Sequence, residues 1–289
     1  MIDLHMHTHY SDGELNAEAI IDLALEKGMN AISITDHDTM EAVTYIRENN
    51  IDLKGLELIN GIEFSVGVDV ELESGETKEV EIHLLGYYLD INNKELMDFL
   101  TSLEDVRDIR NQELIDKINE VGLDLTFDEV RAMTSQKLVT KAHFAQAMIK
   151  KGYSTSNKDA FDVYLGVGRP AYIGKDLPNV KTVIDLIKNA GGYSVLAHPM
   201  VYKLSNEDTE RLVKTLKELN VNGIECYYSS HTPEQRDFLL SLAKKYNLAI
   251  TAGSDYHGSQ RFEVLGHMNL GETINYSLLD EFRAFVNHK

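Results

Sequence analysis

The chain opens with Met1-Ile2-Asp3-Leu4-His5-Met6-His7-Thr8-His9-Tyr10-Ser11-Asp12-Gly13. The apolar start is typical of a short strand, and on a strand His5 and His7 point to the same face. Imidazole is the commonest metal ligand among side chains. Ser11-Asp12-Gly13 is typical of a turn, which can fold the Asp12 carboxylate back over the strand end. The segment predicts a metal site, with an exposed, histidine-rich terminus as the alternative.

The composition limits the classes of partner. The chain has 289 residues, with 28 Lys and Arg against 47 Asp and Glu, so its formal net charge is −19. Such a surface disfavours long nucleic acids, which are bound largely through Lys and Arg, and favours metal cations. Cys226 is the single cysteine, which excludes an internal disulfide. No stretch approaches the roughly 20 apolar residues of a membrane span, and no signal peptide is visible. We expect a cytoplasmic protein with no membrane partner.

Apolar strand-like segments alternate with amphipathic helical ones along most of the chain. About seven such strands predict a parallel sheet or barrel, in which chemistry lies at the carboxyl ends of the strands. Histidines and acids follow or occupy several of these segments, in Thr35-Asp36-His37, Gly61-Ile62-Glu63, His83, Leu196-Ala197-His198-Pro199 and Gly253-Ser254-Asp255-Tyr256-His257. They are therefore candidate ligands at one rim.

The pattern changes between residues 93 and 168, where helical periodicity continues without a convincing strand. Glycines and a proline then mark the return of the α/β rhythm. We predict a barrel domain made of residues 1–92 and 169–289, interrupted by an all-helical insertion, or cap, at 93–168.

The candidate ligands form a mixed nitrogen and oxygen set without thiolate. One ion takes roughly four to six ligands, so this set could serve two or three ions. Its chemistry suits zinc, manganese or iron better than magnesium or calcium. The members are His5, His7, Asp12, His37, Glu63, His83, His198, Asp255 and His257.

These motifs, in this order, resemble the PHP (polymerase and histidinol phosphatase) family over essentially the whole chain. The helical block, with Lys141-Ala142-His143-Phe144-Ala145 and Gly168-Arg169-Pro170-Ala171-Tyr172, resembles the stand-alone phosphoesterases that act on nucleoside monophosphates, nucleoside 3',5'-bisphosphates or short oligoribonucleotides. The resemblance implies a distorted (β/α)₇, TIM-like barrel of the α/β class with three divalent metal ions.

Carried over by position, the resemblance divides the nine ligands among three ions. It implies that Glu63 is shared and that a hydroxide bridging the first two ions attacks phosphorus. Glu63, Asp255 and His198 would then belong to the catalytic centre. The implied sets are His5, His7, Glu63 and Asp255 for the first ion, Glu63, His83 and His198 for the second, and Asp12, His37 and His257 for the third.

Four further residues are candidates for substrate binding. Lys141, His143 and Arg169 lie in or next to the helical block, and the resemblance implies a phosphate-binding role for Lys141 and His143. The branch commonly has arginine at the position of Lys141, and lysine loses the planar, bidentate fork. A packed helix face is the alternative for His143, and a solvated loop charge for Arg169. His231 is a candidate for both substrate binding and leaving-group acid, with a surface histidine at a helix start as the alternative.

The leading hypothesis is a phosphatase whose partner is a small phosphorylated substrate, a nucleoside monophosphate or 3',5'-bisphosphate. The alternatives are a 5'-3' exoribonuclease acting on short RNA, a histidinol phosphatase, and a non-catalytic metal-binding module. The acidic charge favours the small substrate over a long strand. No feature of the sequence indicates an oligomeric state.

Overall fold

Seven strands form one sheet in chain order in the computed structural model, which describes residues 1–259, 263–268 and 271–287. Neighbouring strands are parallel except at β4, which is antiparallel to both β3 and β5. No helix separates β3 from β4, and a short connection joins only antiparallel strands. The strands are β1 (Ile2–Met6), β2 (Ala31–Ile34), β3 (Glu57–Glu71), β4 (Thr77–Tyr87), β5 (Tyr193–Leu196), β6 (Gly223–Tyr228) and β7 (Ala249–Gly253).

The two edges of the sheet meet just beyond β1 and β7. The amide of Asp255 donates to the carbonyl of His5 at 2.8 Å, and the amide of His7 donates to that of Tyr256 at 2.9 Å. Met6 and Tyr256 pair as an isolated parallel bridge. The sheet is therefore a nearly closed barrel, which confirms the predicted α/β barrel class.

Several helices begin at residues whose side chains satisfy free amides of the first turn. Asn16 accepts from the amide of Ala19, and Thr232 with Gln235 forms a capping box ahead of Pro233. A π-helical turn (Phe161–Leu165) and a 3₁₀ turn (Pro199–Tyr202) supplement them. The α-helices are α1 (Ala17–Glu26), α2 (Glu41–Glu48), α3 (Lys94–Glu120), α4 (Phe127–Arg131), α5 (Lys141–Lys150), α6 (Asn157–Ala160), α7 (Val180–Asn189), α8 (Asn206–Glu218), α9 (Pro233–Tyr246) and α10 (Ser277–Asn287).

The barrel is held together by a buried apolar cluster to which α10 contributes. Leu4, Tyr87 and Val195 from the strands belong to the same cluster as Leu279 and Phe282 of α10. Burial of such side chains stabilises a fold by about 1.5–3 kcal/mol each. The cluster fixes the strands, and with them the side chains at the strand ends.

The chain divides into two compact units. One comprises Met1–Met97 with Leu177–Lys289 and contains the barrel; the other is Asp98–Asp176. The elements described between Lys94 and Leu165 are all helical, and the second unit has its own core, which includes Leu114, Phe144 and Met148. The predicted bounds of the insertion, 93 and 168, stay a prediction. Among the described residues, no helix has the length and apolar character that crossing a membrane requires.

Candidate metal centre

Histidines and acids converge at one rim of the barrel. His7, His37, His198, Asp255 and His257 each follow a strand directly or within a few residues. Their side chains meet because the carboxyl ends of parallel strands share one edge.

Glu63 and His83 lie inside strands, because β3 and β4 continue beyond the rim as a long hairpin. Glu63 pairs with Leu85, and His83 pairs with Ser65, two residues farther along β3. Glu63 also forms a bridge with His37, at the end of the neighbouring strand. The rim therefore crosses the hairpin at Glu63, which explains how a mid-strand histidine reaches the site.

The Glu63 carboxylate is the centre of the arrangement and is fully buried. Both of its oxygens face ring nitrogens from different strands. Oε1 lies 2.9, 3.1 and 3.3 Å from nitrogens of His198, His83 and His5, and Oε2 lies 3.1 and 3.2 Å from nitrogens of His37 and His7.

Two further carboxylates flank Glu63. Asp255 Oδ1 lies 3.0 Å from His7 Nε2 and 3.3 Å from His5 Nε2. Asp12 Oδ1 lies 3.2 Å from Nε2 of His257. The turn that carries Asp12 thus returns to the rim, as the first segment of the sequence predicts.

The donors form three overlapping groups within which the ligand atoms lie within 4.8 Å of one another. His198 is outside these groups, although it contacts Glu63, and His37 joins the group of Glu63 and His83. The sequence-based division placed His198 in that set instead. The groups are His5, His7, Glu63 and Asp255; His7, Asp12, His37 and His257; and His37, Glu63 and His83.

Several of these metal-ligand atoms are buried and lack a hydrogen-bond partner among the described residues. They include Nε2 of His5 and His7, Nδ1 of His37, Oε2 of Glu63 and Oδ1 of Asp255. Leaving one such atom unsatisfied costs about 1–3 kcal/mol. Clustered nitrogen and carboxylate donors without thiolate match what divalent transition metals bind. The residues therefore fit divalent metal ions.

The protonation of the metal-free cluster follows from burial and charge. Burial opposes ionisation of Glu63, but His5, His83 and His37 outweigh it, so the pKa of Glu63 falls well below its usual range. Burial lowers the pKa of His37 to about 3. Burial also acts to lower the pKa of His7, but the adjacent carboxylates of Asp255 and Glu63 raise it to about 10. In the metal-free chain, histidines such as His7 carry the charge that metal ions would otherwise supply.

Buried residues around the centre were not singled out from the sequence. Asp36 accepts three short hydrogen bonds, from the amide and hydroxyl of Thr8 and the hydroxyl of Ser11, and so fixes the turn that carries Asp12. Asp3 accepts from the amide and hydroxyl of Ser254, ahead of Asp255. Asp3 lies on an apolar strand and Asp36 just after one. An acid at such a position is the only sequence signal of their role.

The candidate substrate residues of the second unit are engaged locally. Lys141 Nζ donates to the carbonyl of Ile173 at 2.6 Å and lies 4.6 Å from the ring centroid of Tyr172. His143 is buried, and its Nδ1 accepts from the amide of Thr140 at the start of α5. Arg169 is exposed. Their role in substrate binding stays a prediction.

His231 is buried, so the surface alternative for it is wrong. Its Nδ1 lies 3.2 Å from the carbonyl of Cys226, and its ring centroid lies 5.0 Å from that of Tyr228. Burial lowers the pKa of His231. The ring is therefore neutral near pH 7, with its hydrogen on Nδ1, which faces the carbonyl oxygen.

A barrel with this cluster at its rim has the features of a metal-dependent hydrolase. A protein-family model described as PHP domain matches residues 3–285. The chain belongs to the PHP family, and it is a hydrolase that acts on phosphoester bonds.

Curated relatives align along most of their length. The chain is 32% identical over 257 residues to the 5'-3' exoribonuclease Rnm of Escherichia coli (88% of this chain, 84% of the relative). It is 26% identical to a 3',5'-nucleoside bisphosphate phosphatase of Chromobacterium violaceum (89% and 87%). It is similar in structure to a Bifidobacterium adolescentis protein described as a metal-dependent phosphoesterase, with a TM-score of 0.73 and 25% identity over 98% of this chain and 96% of that one.

Proposed function

We propose that the chain is a metal-dependent phosphatase of small nucleotides, with nucleoside 3',5'-bisphosphates or monophosphates as substrates. It would hold three divalent ions, of zinc, manganese or iron. The observation that carries the proposal is the Glu63 carboxylate, whose two oxygens face five imidazoles within 3.3 Å. Glu63 belongs to two of the three donor groups, and a shared carboxylate suits neighbouring cations.

Charge supports a metal-dependent rather than a lysine-dependent site. Glu63, Asp12 and Asp255 together would repel a phosphate ester. Bound divalent ions would reverse that charge, hold the phosphate oxygens and lower the pKa of water at the site. In the part of the chain that the structure describes, the ion pairs of Glu63 and Asp255 are all with histidines and none is with a lysine or arginine.

The chain itself supplies orientation and proton handling. Tyr228 donates to Oδ2 of Asp255, which leaves Oδ1 directed at His5 and His7. His231 stays a candidate for proton exchange with the leaving oxygen, through Nε2, because Nδ1 faces the Cys226 carbonyl. With its lowered pKa, the neutral ring would have to take up a proton before donating one.

The nucleotide as substrate rests on the relatives and on the charge of the chain. One relative is a 3',5'-nucleoside bisphosphate phosphatase. The net charge of −19 disfavours long polyanions and leaves a compact anion at a cationic centre as the fitting substrate.

A second candidate is a 5'-3' exoribonuclease on short RNA. It is favoured because the E. coli Rnm and a Haemophilus influenzae 5'-3' exoribonuclease are 32% and 30% identical to this chain. Rates on a nucleoside 3',5'-bisphosphate and on a 5'-phosphorylated pentanucleotide separate the two. The phosphatase proposal expects the higher kcat/KM on the bisphosphate; the reverse order selects the exoribonuclease.

The metal requirement is tested by phosphate release from the bisphosphate before and after chelation, and after return of zinc, manganese or iron. We expect chelation to abolish release and one of the metals to restore it. Glu63→Gln removes the shared charge and should lower kcat by about 10²-fold or more. Glu79→Gln, on the exposed part of the hairpin, is the matched control. Full activity of the chelated protein or of Glu63→Gln would refute the proposal.

A further inference from the structure

Glu225 is a buried carboxylate on β6 that is not among the metal-donor groups. Its two oxygens have different partners. Oε1 lies 3.0 Å from Nδ1 of His5, and Oε2 accepts from the backbone amide of His198 at 2.8 Å. One carboxylate therefore contacts two residues of the centre, which lie far apart in the sequence.

The contact with His5 selects one form of the imidazole. A carboxylate is only an acceptor, so Nδ1 of His5 must carry the hydrogen. In the neutral ring Nε2 then has the lone pair, and it faces Glu63 and Asp255, each at 3.3 Å. A carboxylate that accepts from the outer nitrogen orients a ligand histidine in this way and increases its basicity.

The contact with His198 holds an unfavourable backbone conformation. His198 has φ 25° and ψ 61°, in the left-handed region that non-glycine residues seldom adopt. Such strain persists only where the surroundings determine the conformation. The bond from the His198 amide to Glu225 is one such determinant, and the ring that it positions lies 2.9 Å from Glu63 through Nε2.

The packing leaves space for this arrangement. A Cβ added at Gly253, on the neighbouring strand β7, would lie 2.2 Å from the Cβ of His5 and 3.0 Å from Oε1 of Glu225. Any side chain there would displace His5 or Glu225. The His5 and His198 rings are also stacked, with centroids 5.6 Å apart and planes at 24°. Residues on β1 and β7 and just after β5 thus surround the Glu225 carboxylate of β6.

We propose that Glu225 is the positioning residue of the centre: it fixes the His5 imidazole as the Nδ1–H form and sets the His198 backbone, so that both rings present Nε2 around Glu63. The inference rests on the proposed metal-dependent function. It predicts that Glu225 controls metal affinity without being a ligand.

Glu225→Gln tests this role because it keeps the shape and changes the hydrogen-bond chemistry. The glutamine amide has one acceptor oxygen, whereas His5 and His198 both donate to Glu225. If the glutamine NH₂ faces Nδ1 of His5, that nitrogen must accept, and the ring then carries its hydrogen on Nε2, where metal would bind. If the glutamine NH₂ instead faces the backbone N–H of His198, two donors oppose each other. Either orientation impairs one of the two contacts.

The experiment measures zinc affinity by competition with a chromophoric chelator, together with thermal unfolding of the metal-free protein. For Glu225→Gln we expect affinity to fall by about 10–100-fold, while the metal-free protein still unfolds cooperatively, at a lower melting temperature because one buried contact is impaired. Cys226→Ala, the next residue on β6 and equally buried, is the control and should keep wild-type affinity. Wild-type affinity in Glu225→Gln, or an equal loss in Cys226→Ala, would overturn the role.

A second measurement uses the wild-type chain and does not depend on the folding of any variant. Histidine ¹⁵N chemical shifts in the zinc-loaded protein should show His5 with hydrogen on Nδ1 and metal on Nε2. Metal on Nδ1 would overturn the proposal. Neither readout uses a nucleotide, so a chain that binds zinc but hydrolyses no phosphate ester would contradict the proposed function alone, and a chain that binds no divalent metal would contradict both.

Discussion

The hydroxyl of Tyr228 donates a 2.8 Å hydrogen bond to Oδ2 of Asp255, the carboxylate whose other oxygen faces His5 and His7. Asp255 has φ 58°, so its backbone is also in the left-handed region. The bond sets which oxygen of Asp255 is directed at the centre. The orientation of a donor thus depends on a tyrosine that is not itself in a donor group.

Tyr228→Phe should weaken metal binding without emptying the site. Hydrogen bonds to charged groups contribute about 1.5–3 kcal/mol, so we expect the metal dissociation constant to rise by about tenfold. Chelator competition measures it, and Tyr227→Phe, whose half-buried ring faces Arg236, is the control. Unchanged metal affinity in Tyr228→Phe would show that the bond does not orient Asp255.

Asp36→Asn should destabilise the turn that carries Asp12. Asp36 accepts from three donors of Thr8 and Ser11, and the asparagine amide cannot replace the second acceptor oxygen. We expect a loss of about 1–3 kcal/mol in the free energy of unfolding, measured in denaturant. Asp52→Asn, at an exposed acid that caps a single amide, should change it little. Equal effects of the two variants would contradict this reading of the turn.

The metal-free protein should be most stable near pH 6.5. The pKa of His7 rises from 6.5 to about 10 on folding, so its stabilisation is complete below pH 6.5 and is lost as the pH rises towards 10. The pKa of His37 falls from 6.5 to about 3, so stability is lost as the pH falls through that interval. Thermal unfolding of chelated protein from about pH 5 to about pH 9 measures both limbs. A melting temperature that rises steadily to pH 9 would contradict the charge assignment of His7.

The candidate phosphate-binding residues are tested by substitution in the second unit. If Lys141 and Arg169 bind substrate phosphate, Lys141→Ala and Arg169→Ala should raise KM by about tenfold with a smaller change in kcat, because binding common to ground and transition states is lost. Lys158→Ala, at an exposed lysine of the same unit, is the control. An unchanged KM in both variants would exclude these residues from phosphate binding.

Much of the fold followed from local patterns. Apolar segments alternating with amphipathic helices predicted the barrel, and α7 and α9 begin and end at the residues that the periodicity and flanking glycine or proline indicate. The antiparallel course of β4 does not follow from its own residues, because a strand's direction depends on its connection. For the same reason, only the register with β3 explains how His83, within a strand, reaches the rim.

The sequence by itself determined the donor types, their order and their association with strands, because residue chemistry and periodicity are local properties. Only the tertiary structure decided that Glu63 lies at the centre, that the ligand atoms of His37, Glu63 and His83 lie together, and that Asp3, Asp36, Glu225 and Tyr228 contact the donors or their neighbouring residues. These relations join residues as far apart as His5 and Glu225, 220 positions along the chain. No local pattern encodes such a distance; barrel closure and strand register do.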